Sequence, residues 1–254
     1  MEALNRKDMK ILSLDIETSP NLAYTFEVWN TNIRPQNIVE PQVMLCWSAK
    51  WLGESGMYFS SVYHDGKQVM LDAIHQLLDE ADVVMHYNGK RFDIPHINRE
   101  LLQFGYAPPS PYKQIDLYHT VKRMFMFPSK KLDYVAKQLG LGGKEENISF
   151  DVWIGCMAND PAAWEVMRIY NMRDVELLEE LYYKLQPWIP QHPSYAAHSG
   201  RFECPACGSS RIQRRGYAYT GVSKFQRLQC QDCFKWSRST HREHGAEIAE
   251  VFTG

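Results

Sequence analysis

The segment Leu12-Ser13-Leu14-Asp15-Ile16-Glu17-Thr18 decides how the rest of this chain is read. Together with Lys10 and Ile11 it predicts a central strand over Lys10–Ile16, alternating at first and then apolar. A strand sends alternate side chains to one face, so Asp15 and Glu17 point the same way and Ile16 the other. Two carboxylates at the end of a buried strand are costly unless cations neutralise them. The pair is therefore a candidate platform for divalent metal ions.

Two further pieces carry acidic residues at interpretable positions. Asp93 closes His86-Tyr87-Asn88-Gly89-Lys90-Arg91-Phe92-Asp93, after a strand predicted over Asp82–Tyr87 and a turn containing Gly89. Loops at strand ends are where α/β proteins place their sites. Asp174 follows Tyr170 by four residues in Tyr170-Asn171-Met172-Arg173-Asp174, which puts both on one helix face. That helix starts at Asp160-Pro161, with Asp160 as cap and Pro161 in the first turn, and runs to Leu185.

Around these pieces, Ala23–Trp29 and Val43–Leu52 read as antiparallel neighbours of the first strand, with another strand or edge over Met57–Tyr63. Helices are expected over Val69–Leu78, Ile94–Phe104 (stopped by Gly105), Ile115–Phe125, and Leu132–Leu139 (ended by Gly140 and the Gly142-Gly143 pair). Strands come first, then strands and helices mix, which indicates an α/β fold with a mixed sheet. Asp116 and Asp133 read as structural, Asp116 as the cap of a helix beginning at Leu117. Lys90, Arg91, Lys130, Lys131 and Lys144 are candidate phosphate contacts.

A chain of 254 residues has room for one large domain and a small module. The expected division is a domain over 1–188, a Pro-rich linker over 189–200, a module over 201–240, and a tail over 241–254 that is a short acidic helix or disordered. Of six cysteines, Cys46 and Cys156 are isolated in apolar surroundings and read as small buried hydrophobes. Cys204-Pro205-Ala206-Cys207 and Cys230-Gln231-Asp232-Cys233 form two Cys-x-x-Cys knuckles, which in a chain without an export signal indicate metal. Four thiolates complete a closed tetrahedral Zn²⁺ site, and with so little core the metal supplies folding energy. The module looks like a zinc ribbon. Arg201, Arg211, Arg214, Arg215, Lys224, Arg227, Lys235, Arg238 and Arg242 surround the knuckles, interleaved with Tyr217, Tyr219, Phe225 and Trp236 and opposed within the module by Glu203 and Asp232. Such a surface suits phosphate contact and base stacking, with protein binding as the other reading.

Asp15-x-Glu17, Asn88-x-x-x-Phe92-Asp93 and Tyr170-x-x-x-Asp174 resemble the three motifs of the DEDD superfamily of 3′→5′ exonucleases, over roughly Lys10 to Leu185. Lys131-Leu132-Asp133-Tyr134-Val135-Ala136-Lys137-Gln138-Leu139-Gly140 is similar to the helix those proteins carry before the third motif. Histidine-type members place a His five residues before the last Asp; Ile169 stands there, and Tyr170 is four before it, which favours the tyrosine type. The resemblance extends to proofreading domains of family B DNA polymerases and to stand-alone exonucleases of bacteria and phages. It implies a ribonuclease H-like mixed sheet flanked by helices and two Mg²⁺ or Mn²⁺ ions. Asp15, Glu17 and Asp174 are then expected to hold one ion, Asp15 to bridge to the second, and Asp93 to contribute directly or through water. Tyr170 is expected to orient the attacking water, with Thr18, Asn88 and Phe92 at the substrate end. What remains of the chain has no room for polymerase palm or fingers, so any replication or repair polymerase partner is a separate chain.

The net charge of −2 decides nothing about nucleic acid. No apolar run is long enough to cross a bilayer, and the N-terminus lacks a hydrophobic signal core, so no membrane partner and a cytoplasmic location, in a bacterial or phage-infected cell, are expected. The expected activity is a metal-dependent 3′→5′ exonuclease acting on single-stranded nucleic acid, with single-stranded DNA or DNA 3′ ends favoured and RNA as the alternative substrate. The rival readings are a structure-selective endonuclease on the same fold and a non-catalytic zinc-ribbon protein that binds nucleic acid.

Overall fold

The strand predicted from Lys10 forms over Ile11–Thr18 (β1) in the computed structural model, which describes residues 9–29, 31–142 and 148–243. Its first four side chains are all buried, as an apolar run covered on both faces requires. The chain then makes an excursion in which β2 (Leu22–Ala23) and β3 (Ile38–Glu40) pair only with each other. It returns as β4 (Met44–Trp51), which pairs antiparallel with β1 from Leu12↔Trp51 to Thr18↔Met44. β5 (Tyr58–Ser61) adds to the outer side of β4. β6 (Val83–His86) and β7 (Lys113–Asp116) extend the other side in parallel, giving the order β5-β4-β1-β6-β7. The large unit is thus an α/β fold with a central mixed sheet flanked by helices.

Two sequence expectations differ from what forms. Ala23–Trp29 is not a sheet neighbour: β4, nearly all buried, occupies that whole edge of β1, and Tyr24, Phe26, Val28 and Trp29 are exposed. Ile115 and Asp116 belong to β7 rather than to the next helix. In β7 only these two residues are buried, so a four-residue polar stretch is held as a strand by its pairing with β6 and not by its own pattern.

The helices are α1 (Lys67–Glu80), α2 (Asp93–Gln103), α3 (Leu117–Met124), α4 (Leu132–Gln138), α5 (Asp151–Met157), α6 (Pro161–Leu185) and α7 (Tyr195–Ser199). α5 and α7 had no sequence expectation. Leu12, Leu14 and Ile16 join a core with Met70, Ile74 and Leu78 of α1 and Ile94 and Ile97 of α2. A second core brings Leu45 and Cys46 together with Cys156, Trp164 and Met167. Cys46 and Cys156 are both buried free thiols.

The chain forms two compact units, Lys10–Tyr182 and the residues from Tyr183 on. The second holds α7 and an antiparallel sheet of β8 (Ile212–Tyr219), β9 (Lys224–Cys230) and β10 (Trp236–Arg242), in the order β10-β9-β8. The stretch 189–200 carries α7 and is tied to the first knuckle, with Tyr195 N donating to Pro205 O at 3.0 Å. Cys204 Sγ lies 3.6 Å from Cys233 Sγ, and Cys207 Sγ 3.7 Å from Cys230 Sγ. Tetrahedral zinc with Zn–S of about 2.3 Å sets its sulfurs roughly 3.8 Å apart, whereas a disulfide holds them at about 2 Å. The four cysteines fit a C-terminal zinc ribbon. Gly143, Lys144 and residues 244–254, most of the expected tail, lie outside the described residues.

The turn from β6 to α2 is held by a buried clamp. Asn88 adopts φ 65°, a left-handed conformation that Asn tolerates better than most residues. Asp116 Oδ1 accepts from Asn88 N at 2.9 Å, and Asp116 Oδ2 from Lys90 N at 3.4 Å. Asp116 also caps α3 through His119 N, the structural role expected of it. Gly89 N donates to Nδ1 of the fully buried His86, which therefore carries its proton on Nε2 and faces Gln114 Oε1 at 3.0 Å. Burial lowers the His86 pKa and keeps the ring neutral. A Cβ at position 89 meets His86 Cγ at 2.5 Å, so no larger residue fits there. Gly89→Ala is predicted to cost about 1–3 kcal/mol, the usual range for overpacking, read as a lower urea midpoint; an unchanged midpoint would refute the clamp.

Candidate active site

The acidic cluster depends on how α6 meets β1. Asp160 Oδ1 accepts from Ala162 N at 3.0 Å, which starts α6 where the Asp-Pro pair indicated. Met167, Asn171, Asp174, Leu178, Leu181 and Leu185 form one buried stripe along α6, at the spacing of a helix face turned to a core. Two polar residues interrupt that stripe, and both reach the end of β1. Asp174 joins Asp15 and Glu17, with ligand oxygens of all three within 4.8 Å of one another. Asn171 Nδ2 donates to Asp15 Oδ2 at 2.7 Å. Further along α6, Glu179 pairs with Lys50 Nζ and accepts from Gly53 N at 3.0 Å. The two anchors are eight residues apart, about 12 Å along a helix, and they fix the register of α6 over the sheet.

Asn171 had no assigned role in the sequence reading. Its signal is present nevertheless: an amide within an otherwise apolar stripe, three residues before Asp174. Its Oδ1 is buried and without a hydrogen-bond partner.

Asp93 is placed differently from the other three carboxylates. It is the first residue of α2 rather than part of the preceding turn. Its Oδ1 accepts from Ile16 N at 3.1 Å, so it sits on the backbone between Asp15 and Glu17. The β1–β6 ladder ends at Ser13↔Met85, and the Asp93 carboxylate takes the place of a strand partner beyond that point. Burial pushes the Asp93 pKa up to about 7; the hydrogen bonds from its own and Ile16's N–H oppose the rise, and Asp116 adds to it.

Tyr170 is half-buried, with Trp153 edge-on at 6.1 Å between ring centroids. Burial, and then the charges of Asp174, Glu17 and Asp15, raise its phenol far above the ordinary range, so the hydroxyl keeps its proton. Ile169, at the position where the histidine-type pattern has His, is 57% exposed. Burial raises the Cys46 thiol well above its ordinary pKa, and Glu17 and Asp15 add to this, so Cys46 stays protonated beside the cluster.

The residues expected at the substrate end are spread more widely. Asn88 lines a cleft of about 640 Å³ with Tyr87, Tyr118, Lys130 and Lys131. Phe92 is an exposed ring whose edge contact is with His96 at 4.7 Å. Thr18 is buried, and its Oγ1 accepts from Gln42 Nε2 at 2.7 Å. Lys90 and Arg91 are exposed, and Asp133 pairs with Lys137 at 3.0 Å on α4.

The donor chemistry fits hard divalent cations. Three carboxylates with oxygens this close can share an oxygen-liganded ion such as Mg²⁺ or Mn²⁺. A fourth carboxylate with its pKa raised to about 7 by burial gains from a nearby cation, and the unsatisfied Asn171 Oδ1 is one more oxygen at the cluster.

Comparison with known proteins agrees with this architecture. Among solved structures the chain is similar to the family B DNA polymerase from the hyperthermophilic archaeon Pyrobaculum calidifontis, with a TM-score of 0.55 and 17% identity. The match covers 86% of this chain and 32% of the polymerase, so this chain spans about a third of that protein, and at this identity the likeness concerns the fold. Comparison with the curated proteins gave no match. Residues 12–186, which hold β1 through α6 and every carboxylate of the cluster, match the family model RNase_H_2, and the chain belongs to the RNase_H superfamily.

Proposed function

We propose that this protein is a metal-dependent 3′→5′ exonuclease of the tyrosine type, acting on single-stranded DNA. The observation that carries the reading is the convergence of Asp15, Glu17 and Asp174 within 4.8 Å, with Tyr170 one helical turn from Asp174 on α6. Asp15, Glu17 and Asp174 would hold one Mg²⁺ or Mn²⁺, with Asp15 and Asp93 serving a second. When bound, such a pair stabilises the attacking and leaving oxygens of an in-line displacement.

The chain's own residues do the positioning. Asn171 Nδ2 donates to Asp15 Oδ2 and so holds the carboxylate in orientation beside Glu17 and Asp174. Tyr170, protonated, donates a hydrogen bond to the water that attacks the terminal phosphorus. The bond from phosphorus to the preceding nucleotide's O3′ breaks, releasing a nucleoside 5′-monophosphate and a new 3′ hydroxyl. Asn88 and Phe92, at the two ends of the turn that leads to Asp93, would meet the terminal nucleotide. Lys130 and Lys131, which line the same cleft as Asn88, suit the approaching phosphates. Cys204, Cys207, Cys230 and Cys233 would hold one Zn²⁺ as a structural ion.

With Mg²⁺ or Mn²⁺, a 5′-labelled single strand is expected to shorten as a ladder while a 3′ label is lost first. Asp15→Ala and Asp174→Ala should each abolish the ladder, and Tyr170→Phe should slow it about 10²-fold, as loss of one positioned proton donor does. Cuts in circular single strands, or wild-type rates in either alanine variant, would overturn the assignment.

Asp93 generates a pH prediction. Its folded pKa of about 7 lies above the unfolded value of 3.8, so its favourable contribution is present below pH 3.8 and is lost as pH rises through 7. Asp93→Asn removes that titration. Without metal, the variant is expected to exceed wild type in stability at pH 8 by on the order of 4 kcal/mol. The gap should narrow by pH 5.5 and cleavage should be lost; thermal melts showing a gap that widens toward low pH would contradict the burial of this carboxylate.

For the ribbon, elemental analysis is expected to find one zinc per chain, and Cys230→Ser should release it. A zinc-free protein with an intact ribbon would refute the site.

A further inference from the structure

The ribbon sheet presents two unlike faces. Along β9, Leu228 and Cys230 are buried, and the residues between and before them, Arg227 and Gln229, face the other way. The register sets Trp236 opposite Gln229 and Arg238 opposite Arg227. From β8, Arg215 reaches the same side: its Nη1 donates to Gln229 Oε1 at 2.7 Å. One arginine from each strand therefore shares this outer face.

The three guanidinium groups are ordered by aromatic rings. Arg227 Cζ lies 4.9 Å and Arg215 Cζ 5.7 Å from the Trp236 ring centroid, and Arg238 Cζ lies 4.0 Å from that of Phe225. Stacked arginines keep much of their hydrogen-bonding fork available and have less freedom left to lose on binding. Arg227 Nε also donates to Arg215 O at 2.9 Å, which fixes its plane.

This arrangement is unfavourable for the sheet alone. Like charges directly opposite each other on neighbouring strands destabilise a sheet, and Arg227 and Arg238 are such a pair. Between Arg211 and Arg242 Asp232 is the single acidic residue, and it is engaged by Arg211 at 2.5 Å. Among the described residues no carboxylate forms an ion pair with Arg215, Arg227 or Arg238. Local conflict of this kind concentrates where a surface serves a ligand, and a ligand that relieves this one is anionic.

We propose that this face is a binding platform for single-stranded nucleic acid, with phosphates on Arg215, Arg227 and Arg238 and bases stacked on the exposed guanidinium and Trp236 planes. A polyanion relieves the repulsion between the opposed arginines, and a flat set of stacking surfaces takes unpaired bases, whose faces a duplex hides. The proposal deepens the nuclease reading by naming where the polymer is held, and rests on that reading only for the choice of ligand.

The test uses the full chain in buffer without Mg²⁺ or Mn²⁺, where no cleavage competes. Fluorescence anisotropy with a 5′-fluorescein oligothymidylate of 20 nucleotides is read over a salt series. Arg215→Gln, Arg227→Gln and Arg238→Gln combined are expected to weaken binding at least tenfold and to make the log–log salt slope shallower by roughly 2, as loss of three phosphate contacts implies. Arg238→Gln alone, an exposed change on the edge strand that leaves the fold intact, should weaken binding about threefold. Arg214→Gln with Lys224→Gln, off this face, should stay within twofold of wild type. Three results would overturn the platform: an unchanged slope in the triple variant, equal loss in the Arg214 and Lys224 variant, or equal affinity of wild type for a duplex of the same length. No binding by wild type would overturn it too and leave the face to a protein partner. Hydrolysis of the p-nitrophenyl ester of thymidine 5′-phosphate with Mn²⁺ separates the two readings: its absence in wild type tells against the nuclease reading and leaves the binding result standing.

Discussion

Three carboxylates whose oxygens lie within 4.8 Å repel one another, and the large unit is arranged to hold them there. Two of them cannot be separated, since Asp15 and Glu17 are alternate residues of one strand buried between two helical layers. The third arrives on α6, and the helix is pinned on both sides of it. Asn171 bonds to Asp15 on one side, and Glu179 takes Lys50 and the Gly53 amide on the other. Each anchor spans more than a hundred residues of sequence, so the cluster forms only once the sheet and the last long helix have met. The electrostatic cost of the site is offset by helix–sheet packing far larger than the site itself.

Asp93 shows a different way to place an acid. Its carboxylate completes the hydrogen bonding of β1 where the parallel partner strand has ended. The same group therefore closes the sheet and sits at the reactive edge. The turn that delivers it is rigid for reasons separable from its chemistry: Asn88 supplies the left-handed step, Gly89 the close approach to His86, and Asp116 the two accepting oxygens. A residue read as the cap of the next helix thus also secures the preceding loop.

The sequence makes the central strand, the Asp-Pro helix start, the four carboxylates and the two cysteine knuckles legible, because each has a local signature of periodicity, capping or ligand spacing. What it hides is settled by partners remote in the chain. Residues 23–29 alternate like a strand, yet the edge they would join belongs to β4, and their aromatic rings are left exposed. Lys113–Asp116 is too polar and short to read as a strand and is one only because β6 lies beside it. Asn171 stood inside a quoted motif without a role, since a lone amide in a helix reveals its burial only when the whole stripe from Met167 to Leu185 is followed. The ribbon shows its charge in the sequence, but the sharing of one face by Arg215, Arg227 and Arg238 depends on strand register.

The modest net charge of the chain conceals two opposed populations. Residues 201–243 carry nine Lys or Arg against three Asp or Glu, and the remainder is correspondingly acidic. A sequence pI near 6.5 describes neither part. Near neutral pH the intact protein should be retained by anion and cation exchangers alike, each resin gripping a different region. Proteolysis after α6 would resolve it into one acidic and one basic fragment that migrate in opposite directions in a native gel.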